Sequence, residues 1–369
     1  MLQLLDNLKR VAPYYALWVI TIGLVITWSI ANLTFTPSFP YYHDLSAHYN
    51  RFFASFAHFD GIHYLRLIKN GYDDTGSQAF FPLYPLLIRS LTFNIFDPLY
   101  VAMFINALFT FIAISVATLH LKSKSAIRYV LLFLSFPTSF FLLTNYTESV
   151  FILLVVLFFY FLTEKKYIIA AVIAGLASAT RFVGIFLALS LAYELYRDHK
   201  SLKYSCLLIT VSLSGLISFV IYLLYRFGDP LMFIHVQTMF NNGRSGGEIV
   251  TLPQVLFRYG RILLTTSPSS FVYIRALGEV VVFTFSMIAL YKFRHVMRVS
   301  SLLFCLFALL LPTISGTFSS YPRYLLVAVP LFQVIAEEVP PRLQKRTILV
   351  QYVILIVVVA LFVQGIFIA

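Results

Sequence analysis

Residues 58–85, HFDGIHYLRLIKNGYDDTGSQAFFPLYP, concentrate side chains suited to proton transfer or metal binding within an otherwise apolar chain. Asp60 is followed three and four residues later by His63 and Tyr64, which a helix would place on a neighbouring face. The adjacent carboxylates Asp73–Asp74 come soon afterwards. A carboxylate in this setting can serve as a general base. The spacing therefore predicts proton-transfer chemistry in this one loop.

Asp60 also has a structural interpretation, as the N-terminal cap of a short amphipathic helix. Ile62, Leu65 and Ile68 would form its apolar stripe, and the pair at 70–71, Asn-Gly, would end it. On the residues alone, capping is the favoured interpretation. The two are compatible, because a capping carboxylate can also accept a proton.

A divalent metal site is a further hypothesis for this loop, with Asp44 and Asp60 as oxygen ligands. The nitrogen ligands would come from four histidines: His43, His48, His58 and His63. The spacing of these residues matches no specific metal signature. We therefore expect no metal ion and no other cofactor, and a divalent metal is the less favoured alternative.

The composition sets the class of protein. Of 369 residues, 60% are hydrophobic and 11% are charged, whereas soluble domains carry about 25% charged residues. Apolar runs of roughly 20 residues predict membrane-spanning helices. The expected fold is an all-α polytopic membrane protein with a single transmembrane domain over residues 1–369. The net charge of +12 does not indicate a nucleic-acid partner, because the cations lie between apolar runs.

Eleven spans are predicted, and their orientation follows from the cations. They cover 13–33, 99–120, 127–143, 148–163, 167–180, 182–196, 204–225, 271–291, 299–312, 323–339 and 347–368. With a cytoplasmic N-terminus, more than half of the 27 lysines and arginines fall in short cytoplasmic loops. Two long extracytoplasmic segments result, at 34–98 and 226–270. We expect short amphipathic helices along the membrane surface in the first.

Other polar residues fall on the same predicted side as Asp60. Arg181 lies between two apolar runs, where a charge is costly, and a guanidinium is suited to a phosphate. Arg323 follows a proline at the start of a span. A cation there is unfavourable because it opposes the helix dipole, and a bound anion would offset this cost. Tyr146 and Glu148 occupy a polar turn between two spans. The structural alternatives are snorkelling arginines and a simple turn.

These motifs resemble a known family in their order along the chain. FDGIHYLRLIKNGY followed by QAFFPLYPLL resembles the first outer loop of the PIG-V family, the GPI mannosyltransferase 2 type of GT-C glycosyltransferase. FPTSFFLLTNYTESVFILL and SATRFVGIFL are similar to two later segments of that family. YRFGDPLMFIHVQ and SSYPRYLL resemble segments of its prokaryotic members. Phe59 stands where the family usually has tryptophan.

The resemblance implies a GT-C-type bundle and an inverting glycosyltransferase. Such an enzyme moves a hexose, by analogy mannose, from a polyprenyl- or dolichyl-phosphate donor to an acceptor at the outer membrane face. Asp60, the acidic residue of the first outer loop, is implied as the catalytic base. Arg181 and Arg323 are the candidates for binding the donor phosphate. The candidates for substrate contacts are His63, Tyr64, Tyr146 and Glu148.

The expected partners are the lipid-linked donor, membrane lipid, and a glycan, glycolipid or protein acceptor, with no nucleic acid. The expected location is the cell membrane in a prokaryote or the endoplasmic reticulum membrane in a eukaryote, with an extracytoplasmic active site. A lipid or sugar-lipid transporter or flippase without transferase activity is the alternative. It predicts pseudo-symmetric halves, which this sequence does not display. A non-catalytic assembly protein is a third hypothesis.

Overall fold

The computed structural model describes residues 2–39, 41–74, 76–240, 247 and 249–368, with side chains from residue 5 onward. This part of the chain is helical and contains no strand, which confirms the all-α prediction. The helices of the first half are α1 (Leu2–Asn32), α2 (Tyr42–Ser46), α3 (Arg51–Ala54), α4 (Asp60–Asn70), α5 (Leu83–Thr92), α6 (Pro98–Ala117), α7 (Ser123–Leu134) and α8 (Glu148–Thr163). Those of the second half are α9 (Tyr167–Ser178), α10 (Ile185–Arg197), α11 (Leu202–Phe227), α12 (Met232–His235), α13 (Leu252–Thr265), α14 (Phe271–Phe293), α15 (Val299–Ile314), α16 (Tyr321–Leu325), α17 (Val329–Glu338) and α18 (Pro341–Val363).

Helix ends follow local sequence signals. The Asp97 carboxylate accepts a hydrogen bond from the backbone N–H of Leu99, at 2.8 Å, and so caps α6, which begins at Pro98. Ser201 caps α11 in the same way. That helix ends at Gly228, whose φ of 75° suits a residue without a Cβ.

Five helices are long and apolar enough to cross a membrane, judged by length and composition: most of α1, α6, α11, α14 and α18. Large apolar side chains on α1 such as Leu17 and Leu24 are more than half exposed, as expected for a surface that lipid covers. The helices α8, α9 and α15 are apolar but shorter. These features indicate a helical membrane protein, while the number of eleven spans stays a prediction.

Two of the predicted spans are wrong as continuous helices. The span predicted at 127–143 is interrupted because α7 ends at Leu134, shortly before Pro137. The span predicted at 323–339 is divided between α16 and α17, and Pro330 lies in the first turn of α17. Proline has no N–H to donate and its ring clashes with the preceding turn, so α7 and α16 each end before a proline.

The described chain divides into two compact units. The first comprises Met1–Gly71, Leu83–Tyr160 and Phe332–Ile368, and the second comprises Tyr72–Pro82 and Phe161–Leu331. In the first unit α1 packs against α6, α7 and α18. In the second, α9, α10 and α11 pack on one another and α10 packs on α15. Each unit combines stretches of chain that are separated in sequence. This division does not test the prediction of a single transmembrane domain.

The predicted outer segment 34–98 contains the four short helices α2–α5. The stripe of Ile62, Leu65 and Ile68 is buried, as its periodicity predicts. The stripe is covered by protein, because α4 packs against α5 and α6 of its own unit, and the location of these helices along the membrane surface stays a prediction. The helix that begins at Asp60 is therefore fixed to the protein interior.

In the second unit, α9 and α11 approach closely through small residues. A Cβ added to Gly215 would overlap the carbonyl oxygen of Gly175 and would lie 2.5 Å from the backbone nitrogen of Ala179. Gly278 on α14 offers a contrast, since a Cβ there would meet no atom within 4 Å. Helix pairs in membranes commonly use such small residues to bring their backbones together.

We predict that Gly215→Ala destabilises the protein by about 1–3 kcal/mol, because the added methyl group forces α9 and α11 apart. Gly278→Ala makes the same substitution in open space and should leave stability unchanged or slightly raised. The measurement is thermal unfolding of the two purified variants in one detergent. Equal midpoints would show that the close approach of α9 and α11 does not constrain the fold.

Candidate functional site

Asp60 is the first residue of α4 and its side chain is half-buried. The capping interpretation is wrong in detail, since Phe59, and not Asp60, occupies the cap position. At the first helical position a carboxylate lies near the positive end of the helix dipole, which is a favourable place for an acidic side chain. Asp60 thus lies at the start of a helix whose apolar stripe is buried.

Phe59 has an unusual backbone conformation, with φ 54° and ψ −119°. A residue with a Cβ pays on the order of 1–3 kcal/mol for such a conformation, which persists only where the surroundings enforce it. The Phe59 ring packs on three other phenylalanine rings, with centroid distances of 4.8 Å to Phe39, 5.4 Å to Phe362 and 5.3 Å to Phe367. These contacts offset the strain and hold the chain direction that leads into Asp60.

Two consecutive residues, Asn145 and Tyr146, hold the backbone on both sides of Asp60. We call residues 56–61 the Asp60 turn and this pair the clamp. The clamp donates three hydrogen bonds to carbonyl oxygens of the turn. They are Asn145 N to Phe56 O at 2.7 Å, Tyr146 Oη to His58 O at 2.9 Å, and Asn145 Nδ2 to Gly61 O at 2.7 Å. The turn therefore has little freedom to move the carboxylate.

Gly61 brings the clamp and the turn into contact. A Cβ at this position would lie 3.4 Å from Cε2 of Tyr146, so the ring of the clamp packs directly over the glycine. A Cβ there would be in van der Waals contact with the ring, so Gly61 leaves little space between Tyr146 and the start of α4.

A buried polar network supports the clamp from behind. Tyr84 Oη donates to Asn145 Oδ1 at 2.7 Å, and Asn106 Nδ2 donates to Tyr84 Oη at 3.0 Å and to the carbonyl oxygen of Thr144. Ser149 Oγ completes the network by donating to Asn106 Oδ1 at 2.6 Å. These side chains are almost fully buried. In a low-dielectric interior such bonds are strong, and breaking one leaves its partner buried without a hydrogen bond.

The network contains residues that the sequence analysis did not select. Tyr84 lies in the FFPLYPLL motif, where its residue type alone predicts no role, and Asn106 lies outside every quoted motif. A signal for Asn106 existed, because it is an amide inside the apolar helix α6, and polar groups at such positions are seldom there without a partner.

His58 attaches the other side of the Asp60 turn to α18. Its Nδ1 lies 3.0 Å from the carbonyl oxygen of Phe362, and because that oxygen can only accept, Nδ1 carries the proton. Burial lowers the pKa of His58 to about 4, with a smaller contribution from the nearby Arg51 charge. The ring is therefore neutral at physiological pH and is suited to holding the turn in place, not to exchanging protons.

The other predicted residues of the first unit differ in their exposure. Tyr64 is buried, and its ring centroid is 5.2 Å from that of Tyr84 and 6.4 Å from that of Tyr146. Glu148 is buried at the start of α8, close enough for its charge to act on the Tyr84 hydroxyl. His63 is half-buried and its ring meets Tyr41 edge-on at 5.3 Å. The structure thus brings Tyr64, Tyr146 and Glu148 together beside the Asp60 turn.

The two predicted phosphate-binding arginines belong to the second unit, where their segments meet. Arg181 is half-buried in extended backbone before a short 3-10 helix, and its guanidinium carbon is 5.5 Å from the ring centroid of Tyr324. Arg323, the neighbour of Tyr324, is buried in α16. The burial of Arg323 is not what a snorkelling arginine would show, whereas the half-buried Arg181 fits either role.

The metal hypothesis gains no geometric support from the described residues. Among them, no three His, Cys, Asp or Glu side chains form a group that could hold a metal ion. Asp44 instead pairs with Arg66, which also lies over the Tyr41 ring at 4.3 Å. Asp73 and Asp74 are exposed and belong to the second unit.

None of the protein-family models, curated proteins or solved structures compared with this chain matches it. A function must therefore be argued from the residues and their geometry.

We predict that acidification destabilises the protein through His58. In the unfolded chain this histidine binds a proton near pH 6.5, whereas the folded protein resists protonation until about pH 4. Stability is thus fully present above pH 6.5 and falls as pH drops towards 4, by about 3 kcal/mol from this group.

The measurement is the unfolding midpoint between pH 7 and pH 4 for wild type and His58→Gln, whose amide can still donate to Phe362. The variant should lose less stability on acidification than wild type. His48→Gln, at an exposed position, is the matched control and should follow wild type. Parallel profiles for wild type and His58→Gln would contradict the prediction.

Proposed function

We propose that this protein is a membrane-embedded inverting glycosyltransferase, in which Asp60 is the catalytic base. The observation that carries the proposal is the clamped Asp60 turn. A half-buried carboxylate is held at a helix start by three backbone-directed hydrogen bonds, a buried network and a strained preceding residue. Strained, over-determined backbone is common at catalytic sites and uncommon at ordinary helix starts.

In the proposed reaction, Asp60 accepts the proton of an acceptor hydroxyl while that oxygen attacks the anomeric carbon of a lipid-linked hexose. The bond from the anomeric carbon to the phosphate oxygen breaks, and the polyprenyl phosphate leaves with the bonding electron pair. One carboxylate is sufficient for a single displacement that inverts the anomeric centre. Rigid placement of this base is valuable, because small displacements of a catalytic group are costly.

Nearby positive charge stabilises the leaving phosphate, which has less need of a strong acid to protonate it. Arg181 and Arg323 are the proposed cations, and two features support the choice. Their segments meet through Tyr324 in the second unit, and Arg323 keeps its charged side chain in a buried position. A guanidinium also presents paired N–H groups that match phosphate oxygens.

Burial refines the roles proposed for the remaining residues. The Tyr146 hydroxyl is committed to His58 O, so we assign Tyr146 to positioning Asp60 and not to direct substrate contact. Tyr64 and Glu148 are buried beside it and are assigned the same kind of supporting role. His63, which is half-buried one turn along α4, is the favoured residue for a contact with a sugar hydroxyl.

The five long apolar helices support a donor that is itself a membrane lipid. We propose that the hexose is mannose carried on a polyprenyl or dolichyl phosphate, and that the acceptor is a glycan, glycolipid or protein. The distribution of cations supports a cytoplasmic N-terminus and an extracytoplasmic site.

We predict that Asp60→Asn lowers the rate of sugar transfer by about a thousandfold, because the isosteric amide cannot accept the proton. The measurement is mass spectrometry of products from proteoliposomes supplied with mannosyl polyprenyl phosphate and a lipid-glycan acceptor. Asp73→Asn makes the same change at an exposed carboxylate and should retain wild-type transfer.

Near-normal transfer by Asp60→Asn would contradict its role as the base. Movement of the lipid-linked donor across the bilayer by the wild-type protein, with no product formed, would favour a transporter.

A further inference from the structure

The second unit contains a buried carboxylate that no part of the proposed reaction uses. Glu279 lies on α14, eight residues after the helix begins, and is 3% exposed. At a rise of 1.5 Å per residue, it is about 12 Å from the start of an apolar helix that is long enough to cross a membrane. An ionisable group at such a depth is costly and is normally retained for a specific partner.

Glu279 has two partners: Arg275, one turn earlier on α14, whose Nε lies 4.0 Å from Glu279 Oε1, and Tyr259 on α13. The Tyr259 hydroxyl lies 2.6 Å from Glu279 Oε2, 3.1 Å from Thr317 Oγ1 and 3.0 Å from the backbone nitrogen of Phe318. Since the hydroxyl has one hydrogen, it donates to the carboxylate and accepts from the other two groups. The hydroxyl thus connects an intramembrane carboxylate to the backbone of another segment.

That segment leads directly to Arg323. We define the Arg323 loop as residues 315–320 together with α16. The bonds from Tyr259 reach Thr317 and the backbone of Phe318, which precede Ser320 by three and two residues. Ser320 has φ 66° and is the cap of α16, where its carbonyl oxygen accepts from the backbone N–H of Arg323 at 2.9 Å. The strained residue that starts this short helix therefore lies two residues after the backbone N–H that the Tyr259 hydroxyl holds.

The rings of the loop pack onto α14 as well. Phe318 stacks on Phe283 with a centroid distance of 4.5 Å, and Tyr321 Oη lies 2.9 Å from Ser286 Oγ. These contacts hold the loop against α14 on the C-terminal side of Glu279. The Tyr259–Glu279 pair holds the backbone at Thr317 and Phe318, just before the strained residue Ser320.

We infer that the Tyr259–Glu279 pair positions Arg323 for the phosphate of the lipid-linked donor. The inference rests on the proposed function, in which Arg323 binds that phosphate. Neither residue of the pair is assigned a contact with substrate. Their role is to hold the strained backbone at Ser320, so that the α16 turn presents the guanidinium in one orientation.

The test compares four variants in nanodiscs. Tyr259→Phe removes only the hydroxyl, and Glu279→Leu removes the acceptor. Glu279→Gln keeps an oxygen that can accept from Tyr259. Tyr129→Phe is the matched control, because the Tyr129 hydroxyl is buried in the described structure and makes no hydrogen bond.

The readouts are hydrogen–deuterium exchange of peptides covering 315–325 and the KM values for mannosyl polyprenyl phosphate and for the acceptor. We expect Tyr259→Phe and Glu279→Leu to speed exchange in this loop and to raise the donor KM about tenfold, with the acceptor KM unchanged. Glu279→Gln should stay within about twofold of wild type, and Tyr129→Phe should match it.

Wild-type exchange and donor KM in Tyr259→Phe would overturn the inference, as would equal rises in both KM values. If the wild-type protein transfers no sugar, the proposed function fails, while exchange at 315–325 still decides whether the pair holds the loop.

Discussion

The three hydrogen bonds that the clamp gives to the Asp60 turn are the constraint on which the candidate site depends. They connect a polar turn before α8 to carbonyl oxygens more than 80 residues earlier in the chain. The clamp is itself held by buried amide and hydroxyl groups. Breaking any one of these bonds would therefore leave another polar group without a hydrogen bond in a low-dielectric interior, which costs free energy. Asp60 thereby gains a fixed position although it lies at the start of a helix of only 11 residues.

The two units use a similar device to present a charged residue. In each, a residue with positive φ precedes a short helix that carries the charge: Phe59 before Asp60, and Ser320 before Arg323. In each, a buried tyrosine hydroxyl contacts the backbone one or two residues before the strained residue. Strain of on the order of 1–3 kcal/mol is tolerated in both places because these bonds and the packed rings around them enforce it.

Much of the fold and part of the site were predictable from sequence, for identifiable reasons. Apolar runs and a buried stripe on α4 follow from composition and periodicity, and Asp60, Arg181 and Glu148 are conspicuous because charge is scarce. The clamp was not predictable, because its partners are far apart in sequence. The positive φ of Phe59 has no sequence signal either, while the interruption before Pro137 did have one in the proline itself.

The most direct measurement of the clamp's role is the kcat for sugar transfer by Tyr146→Phe, determined beside its thermal unfolding midpoint. This substitution keeps the ring that packs on Gly61 and removes only the hydroxyl that holds His58 O. We predict a fall in kcat of at least about tenfold with an unchanged donor KM, since a mobile base reacts less often from the productive position. An unchanged kcat in a folded variant would contradict the proposal that the clamp positions Asp60 as the catalytic base.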